Sequence, residues 1–209
     1  MKEYKTVEAE ACDEFTEKKS RFIGYVKPVS TQKDAVDFIN SIKTKHWDAT
    51  HNVSAFVLRE NNIQRSSDDG EPSGTAGMPV LDVLLKEKLV DVCVVATRYF
   101  GGTLLGAGGL IRAYSHTSKI AVNAGKIITM APCKIAAVCI DYSFYDRLCI
   151  ILSEFKANIE NSEFSDKVTV TFSLKAELFD FLSDRLTEES NGKYELKPKG
   201  EKFAKLIND

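Results

Sequence analysis

The chain has 209 residues, 44% apolar and 28% charged, with a formal net charge of −2. That composition belongs to an ordinary globular protein with a core to bury, and its length suits one large domain or two small ones. The near-balance of charge excludes a wholesale nucleic-acid coat.

The charge is nevertheless uneven. Residues 1–131 carry 17 Lys and Arg against 16 Asp and Glu, and residues 132–209 carry 11 against 14. Within 88–126, Lys88, Arg98, Arg112, Lys119 and Lys126 face only Asp91. A basic strip in a mildly acidic chain points to an anionic partner at one site. The polar start, MKEYKTVEAEACDEF, has neither a signal-peptide core nor transit-peptide character. Apolar runs such as Ile135–Ile140 are far too short to span a bilayer, so no membrane is expected and the composition reads as soluble and cytosolic. Cys12, Cys93, Cys133, Cys139 and Cys149 are odd in number and form no C-x-x-C pair, so they read as buried free thiols, and no zinc site is expected.

Residues 4–29 read as two strands with a polar turn at Glu17-Lys18-Lys19. Thr31 opens a helix, with Asp34 placed as in a capping box and Ala35, Phe38, Ile39, Ile42 and His46 on one face. Val53–Leu58 is a strand, turned by Asn61-Asn62 into Ile63–Arg65. Ser66–Gly77 is a loop, SSDDGEPSGTAG. Pro79 suits the first turn of a short helix with Val80, Leu81, Leu84 and Leu85 inward. A central strand ends at Arg98-Tyr99-Phe100, and Gly101, Gly102, Gly106, Gly108 and Gly109 follow within nine residues. A helix then runs from Gly108 to about Asn123, with Gly125 as its C-cap. The pattern restarts near Ala131-Pro132. Strand Lys134–Tyr142, helix Phe144–Lys156, a strand between Asn158 and Phe164, the alternating strand Val168–Leu174, helix Glu177–Leu186 and strand Tyr194–Lys197 make the ferredoxin-like order β-α-β-β-α-β. Two domains are expected, 1–131 and 132–209.

A strand, a glycine loop and a helix bring backbone amides close to a phosphate. The named nucleotide motifs fail, however. Gly101 and Gly106 have Walker A spacing, but Ala107 stands where lysine is required, and Ile111 occupies the third glycine of a dinucleotide fingerprint. What remains is a generic anion-accepting helix N-terminus, or glycines that only permit a tight crossing. Arg112, His116, Lys119 and Asn123 form a polar stripe on the helix without an acid, which is either a solvated face or a phosphate contact. Arg98, Arg112 and Lys119 would then meet phosphates, with Tyr99 or Phe100 stacking a base. Asp68, Asp69 and Glu71, with Ser73 and Thr75 nearby, would hold Mg²⁺, pair with Arg98 or Arg112, or make an Asx turn. No catalytic motif is complete, His46, His51 and His116 being scattered along the chain, and no cofactor or metal is expected.

The stretches SSDDGEPSGTAGMPVLDVL and VVATRYFGGTLLGAGGLIRAY closely resemble the IMPACT family, in particular its two-domain bacterial members of the YigZ type. The resemblance covers essentially the whole chain. It implies an α+β protein: an N-terminal domain like domain IV of elongation factor G, with a left-handed βαβ crossover, and a ferredoxin-like C-terminal domain like domain V of that factor. Eukaryotic relatives of the N-terminal domain act in translational control by interfering with a kinase that senses uncharged tRNA. The leading expectation is a non-enzymatic protein whose partner is RNA or the ribosome, contacted by Arg98, Tyr99, Phe100, Gly101, Gly102, Gly106, Gly108, Arg112, His116 and Lys119. A nucleotide- or phosphate-binding enzyme, or a module that docks a translation-related protein, are the alternatives.

Overall fold

The computed structural model describes residues 2–205. It divides into two units, Tyr4–Thr129 and the residues from Met130 onward, the latter together with the segment up to Glu3. Each has its own core, and the described strands form two five-stranded sheets, so the protein is a two-domain α+β fold. Among the described residues no helix is long and apolar enough to cross a membrane.

The first unit begins with three strands where two were expected: β1 (Tyr4–Val7), β2 (Ala11–Glu17) and β3 (Ser20–Pro28). Helix α1 (Gln32–Lys45) follows, and Thr31 and Asp34 close the capping box in both directions. Strands β4 (His51–Leu58) and β5 (Ile63–Ser67), helix α2 (Gly77–Lys86), strand β6 (Val92–Tyr99) and helix α3 (Ala107–Gly125) complete the unit. The sheet order is β2-β3-β6-β4-β5, antiparallel throughout. Strands β3 and β4, joined through α1, therefore flank β6.

Strand β6 reads VCVVAT because both of its faces are covered. Val92, Val94 and Ala96 point to the face packed by Val80 and Leu84 of α2 and by Leu110, Ala113 and Tyr114 of α3. Cys93 and Val95 point to the other face, under Ala35, Phe38 and Ile42 of α1. Leu85, expected inward, is 37% exposed because the buried stripe of α2 runs through Val80, Leu81 and Leu84. Gly125 is not the C-cap. It is the last helical residue, where a Cβ would press on Val26, and Lys126 takes the positive φ of 55° instead. Cys93 and Cys133 are buried, whereas Cys12 and Cys139 are exposed, so the thiols are not uniformly interior.

The second unit consists of β7 (Ile127–Ile140, entered from the first unit), α4 (Tyr145–Glu154), β8 (Asn158–Phe164), β9 (Val168–Lys175), α5 (Phe179–Ser190) and β10 (Lys197–Lys205). The strands pair in the order β8-β9-β7-β10, all antiparallel. Val168, Val170, Phe172 and Leu174 of β9 pack against Leu148, Ile151 and Leu152 of α4 and Leu182 and Leu186 of α5. The last strand lies later than expected. Tyr194 and Leu196 alternate like strand residues, yet they fill the core from an irregular segment, and the Lys-rich 197–205 forms the edge strand.

Gly24 sets how closely α3 approaches β3: a Cβ there would lie 2.5 Å from the Thr117 carbonyl oxygen and 2.9 Å from Ala121 Cβ. Gly24→Ala is expected to destabilise the chain by roughly 1–3 kcal/mol, because a well-packed interface has no room to relax. Urea denaturation measures this, and an unchanged midpoint would show that the helix shifts freely.

Candidate functional site

Antiparallel register places Phe22 of β3, Arg98 of β6 and His51 of β4 in one row across three strands. Period-two alternation turns Arg98 to the α3 side, where it is only 5% exposed. A buried guanidinium requires a partner, and Glu71 provides it, its Oε1 accepting from Arg98 Nη1 at 2.6 Å. The same oxygen accepts the Tyr114 hydroxyl at 2.7 Å. Burial, and then the Glu71 carboxylate, push the Tyr114 phenol far above its ordinary pKa. Ser20 Oγ accepts from Arg98 Nη2 at 3.4 Å and from the Gly101 amide at 3.2 Å. The Phe22 and Phe100 rings lie 5.5 and 5.4 Å from the guanidinium carbon. Arg98 is therefore withdrawn from the surface and unavailable as the phosphate contact expected from the sequence. Of the alternatives for the acidic loop, pairing with Arg98 is the one observed for Glu71.

The rest of that loop is also turned inward. Asp68 accepts the backbone amides of Gly74, Ala76 and Gly77 at 2.9, 3.1 and 2.7 Å and so caps the start of α2. Burial alone would raise its pKa, but the three amides outweigh that and hold it below the usual carboxylate value. Asp69 accepts from Lys43 Nζ at 2.6 Å and from the Asn52 amide at 2.7 Å. Thr75 donates its hydroxyl to the Pro72 carbonyl at 2.6 Å, and Ser73 is exposed. Among the described residues no three His, Cys, Asp or Glu side chains are grouped to hold a metal.

On the opposite face of β6, the Tyr99 hydroxyl donates to Asp48 at 3.0 Å and so must accept from His46 Nδ1 at 2.8 Å. Tyr25 then donates to His46 Nε2 at 2.7 Å. Burial, helped by Lys45, lowers the His46 pKa and keeps the ring neutral. Tyr99 is thus partly buried and hydrogen-bonded, while Phe100 is 44% exposed. Burial raises the Cys93 thiol to about 12, so it is no nucleophile at neutral pH.

The glycine loop lies between this network and solvent. A Cβ on Gly101 would overlap the Lys19 carbonyl, so this glycine lets the loop touch the β2–β3 turn. That turn, Lys18-Lys19, has both φ angles positive, 45° and 69°, the two-residue hairpin geometry normally given to Asn-Gly. Gly102 and Gly106 also have positive φ. Helix α3 starts at Gly106 without a side-chain cap and with no acid in its first turn, which leaves its positive end uncompensated. Arg112 is exposed and unpaired among the described residues, and its guanidinium reaches back to within 3.7 Å of where a Gly108 Cβ would be. Arg112, Lys18, His116 and Phe15 line a pocket of about 270 Å³, with Glu17 also in its wall. The Phe15 and His116 rings meet edge-on at 4.6 Å. Lys119, expected at a phosphate, instead pairs with Glu87 at 2.5 Å. The structure thus brings Arg112 and His116 to Lys18 at one pocket and seats Gly101 on the Lys19 backbone, two lysines read from the sequence only as a turn, while Phe100 lies over Arg98. It also brings Ser20 to Arg98 and His51 to within 3.8 Å of Glu71; the residues are far apart in the chain, and strand pairing together with the acidic loop brings them to one place.

An Impact N-terminal domain model matches residues 18–122, and a domain of unknown function, DUF1949, matches 138–193. The IMPACT family member YvyE of Bacillus subtilis is 41% identical over 93% of this chain and 90% of its own length. The chain belongs to the IMPACT family. The member YigZ of Escherichia coli is 31% identical over 86% of this chain and 89% of its own length, so the two-domain YigZ type is the branch concerned. A crystal structure described only as that of an hypothetical protein superposes with a TM-score of 0.61 at 29% identity, covering 94% of this chain and 97% of the other. The matched N-terminal model spans both the buried network and the glycine loop of this IMPACT chain.

Two predictions follow from the IMPACT network. Arg98→Ala strands Glu71 as a buried charge and is expected to cost about 3–5 kcal/mol in urea denaturation; a loss below about 1 kcal/mol would mean that the pair contributes little. Asp68 has a folded pKa below its unfolded value, so its stabilisation is present above the unfolded carboxylate pKa of about 3.9 and is lost as pH falls through the folded value. Asp68→Asn should therefore show a shallower loss of stability on acidification than wild type, read from thermal melts between neutral pH and pH 3 or so.

Proposed function

We propose that this IMPACT-family chain is a non-enzymatic, cytoplasmic protein that associates with RNA or the ribosome and influences translation. The observation that carries this reading is the exposed cationic group around the uncapped start of α3. Lys18, Lys19 and Arg112 are exposed with no ion-pair partner among the described residues, Lys18 and Arg112 line one pocket with His116, and the exposed Phe100 leads into the glycine loop. Holding two lysines at positive φ costs roughly 1 kcal/mol each, and an arginine folded toward the positive end of a helix is electrostatically unfavourable without an anion. Such strain and charge conflict are tolerated where a ligand relieves them. A phosphate backbone supplies repeated anions, and Phe100 offers a face on which a base can stack.

The wider resemblance supports the same reading. The antiparallel sheet with its β3-α1-β4 connection around β6 is where a left-handed crossover like that of elongation factor G domain IV would sit. The β-α-β-β-α-β order of the second unit is the one implied by likeness to domain V. A translation-related protein is a second partner of the kind the family implies.

Fluorescence anisotropy with a mixed-sequence single-stranded RNA, at low and moderate salt, tests the proposal. Binding should weaken steeply with salt, and Lys18→Ala and Arg112→Ala should each weaken it by about 1 kcal/mol and reduce the salt slope by about one. Both substitutions are at exposed side chains, so they separate binding from folding in a way that Arg98→Ala does not. Salt-independent binding, or binding indifferent to both changes, would sink the proposal.

A further inference from the structure

We infer that the pocket beside the glycine loop receives a phosphomonoester, the group shared by a 5′-phosphorylated RNA end and a free nucleoside monophosphate. The inference rests on the reading of this site as an anion contact given above. It goes further, because a track for the RNA backbone needs no preference for a chain end.

The donors come from two elements. Lys18 belongs to the β2–β3 turn, which Gly101 holds against the glycine loop. Arg112 and His116 are four residues apart on one face of α3. All three are exposed, and all three line one cavity of about 270 Å³. Phe15 and Leu105 form part of the same wall and pack on the core of the first unit, so the cavity has a firm apolar floor. The Phe15 ring meets the His116 imidazole edge-on at 4.6 Å and so helps to fix where that imidazole stands. Lys119, farther along the same helix, is by contrast neutralised by Glu87.

Acceptors and charge narrow the occupant. A phosphodiester within a chain has two free oxygens and a single negative charge. A phosphomonoester has three free oxygens and a charge of about −1.5 to −2 near pH 7. Three donor side chains match the three oxygens. Lys18 and Arg112 are fixed cations, and a histidine is the side chain able to take up a further positive charge near neutral pH. The charged groups that share the cavity with His116 are Lys18, Arg112 and the carboxylate of Glu17. Three positive charges less one negative leave two, which a phosphomonoester balances and a diester only half balances. The volume agrees. It lies below the ~300 Å³ at which pockets for drug-sized ligands begin, so it suits one phosphate with its sugar and not a length of chain.

The test compares a short 5′-phosphorylated oligoribonucleotide with a 5′-hydroxyl oligomer two nucleotides longer, which carries the same added charge. Both are labelled at the 3′ end and bound to the full chain in fluorescence anisotropy, and AMP is titrated separately by calorimetry. The phosphorylated end should bind about tenfold tighter, and Lys18→Ala and Arg112→Ala should each remove most of that preference. This result supports the inference with an RNA end as the source. Binding of AMP that both substitutions weaken supports it with the free nucleotide as the source, and if neither oligomer binds it also removes the RNA reading beneath it. Equal binding of the two oligomers without binding of AMP overturns the inference and leaves the proposed function intact. A preference that survives both substitutions overturns it as well, since the phosphate then sits elsewhere. The comparison of oligomers in wild type stands even if a variant does not fold. Failure of every probe to bind overturns the inference and the RNA reading together.

Discussion

Arg98 is a charge buried at the end of the central strand, and the first unit is arranged around that constraint. A guanidinium 5% exposed is tolerated only with a carboxylate against it, and Glu71 has to be brought there from a loop. Asp68 holds the loop's far end by capping α2, and Asp69 holds its near end through Lys43 and the Asn52 amide. Tyr114 then ties the same carboxylate to α3 and Ser20 ties the guanidinium to β3. One ion pair therefore couples two helices, two strands and the acidic loop. The acids that looked like metal ligands are the means of that coupling.

This interior order has a consequence for the surface. With Gly101 packed on the Lys19 backbone and bonded to Ser20, the glycine loop is anchored at one end. The β2–β3 turn and the start of α3 are thereby held side by side, and unpaired cations from both collect around one pocket. Preorganised charge of this kind loses little entropy when an anion arrives. Buried and exposed arginines thus differ: Arg98 holds the frame, and Arg112 is exposed at the pocket.

The second unit shows how legible simple periodicity is. Strict alternation in β9 and three-to-four spacing in α4 and α5 follow from having one buried face each, and the structure places those residues in one core. The misplaced last strand has a related cause. Tyr194 and Leu196 are buried, as their apolar character requires, but burial does not dictate strand geometry, whereas the polar β10 draws its order from pairing with β7.

For this protein the sequence by itself determined the capped helix at Thr31 and the central strand, because these depend on local propensity and on the period of apolar residues, and two motif stretches carried the family and, through that resemblance, the α+β class. Tertiary structure alone decided the fate of its charges. Nothing within β6 says whether Arg98 is solvated or buried; its partner lies 27 residues earlier in the chain and is delivered by a loop. Likewise the same loop sets Glu71 3.8 Å from His51 of β4, and helix packing brings Arg112 to the pocket that Lys18 lines. Local periodicity reports which face is buried. Electrostatic pairing depends on distances through space, and those exist only once the chain has folded.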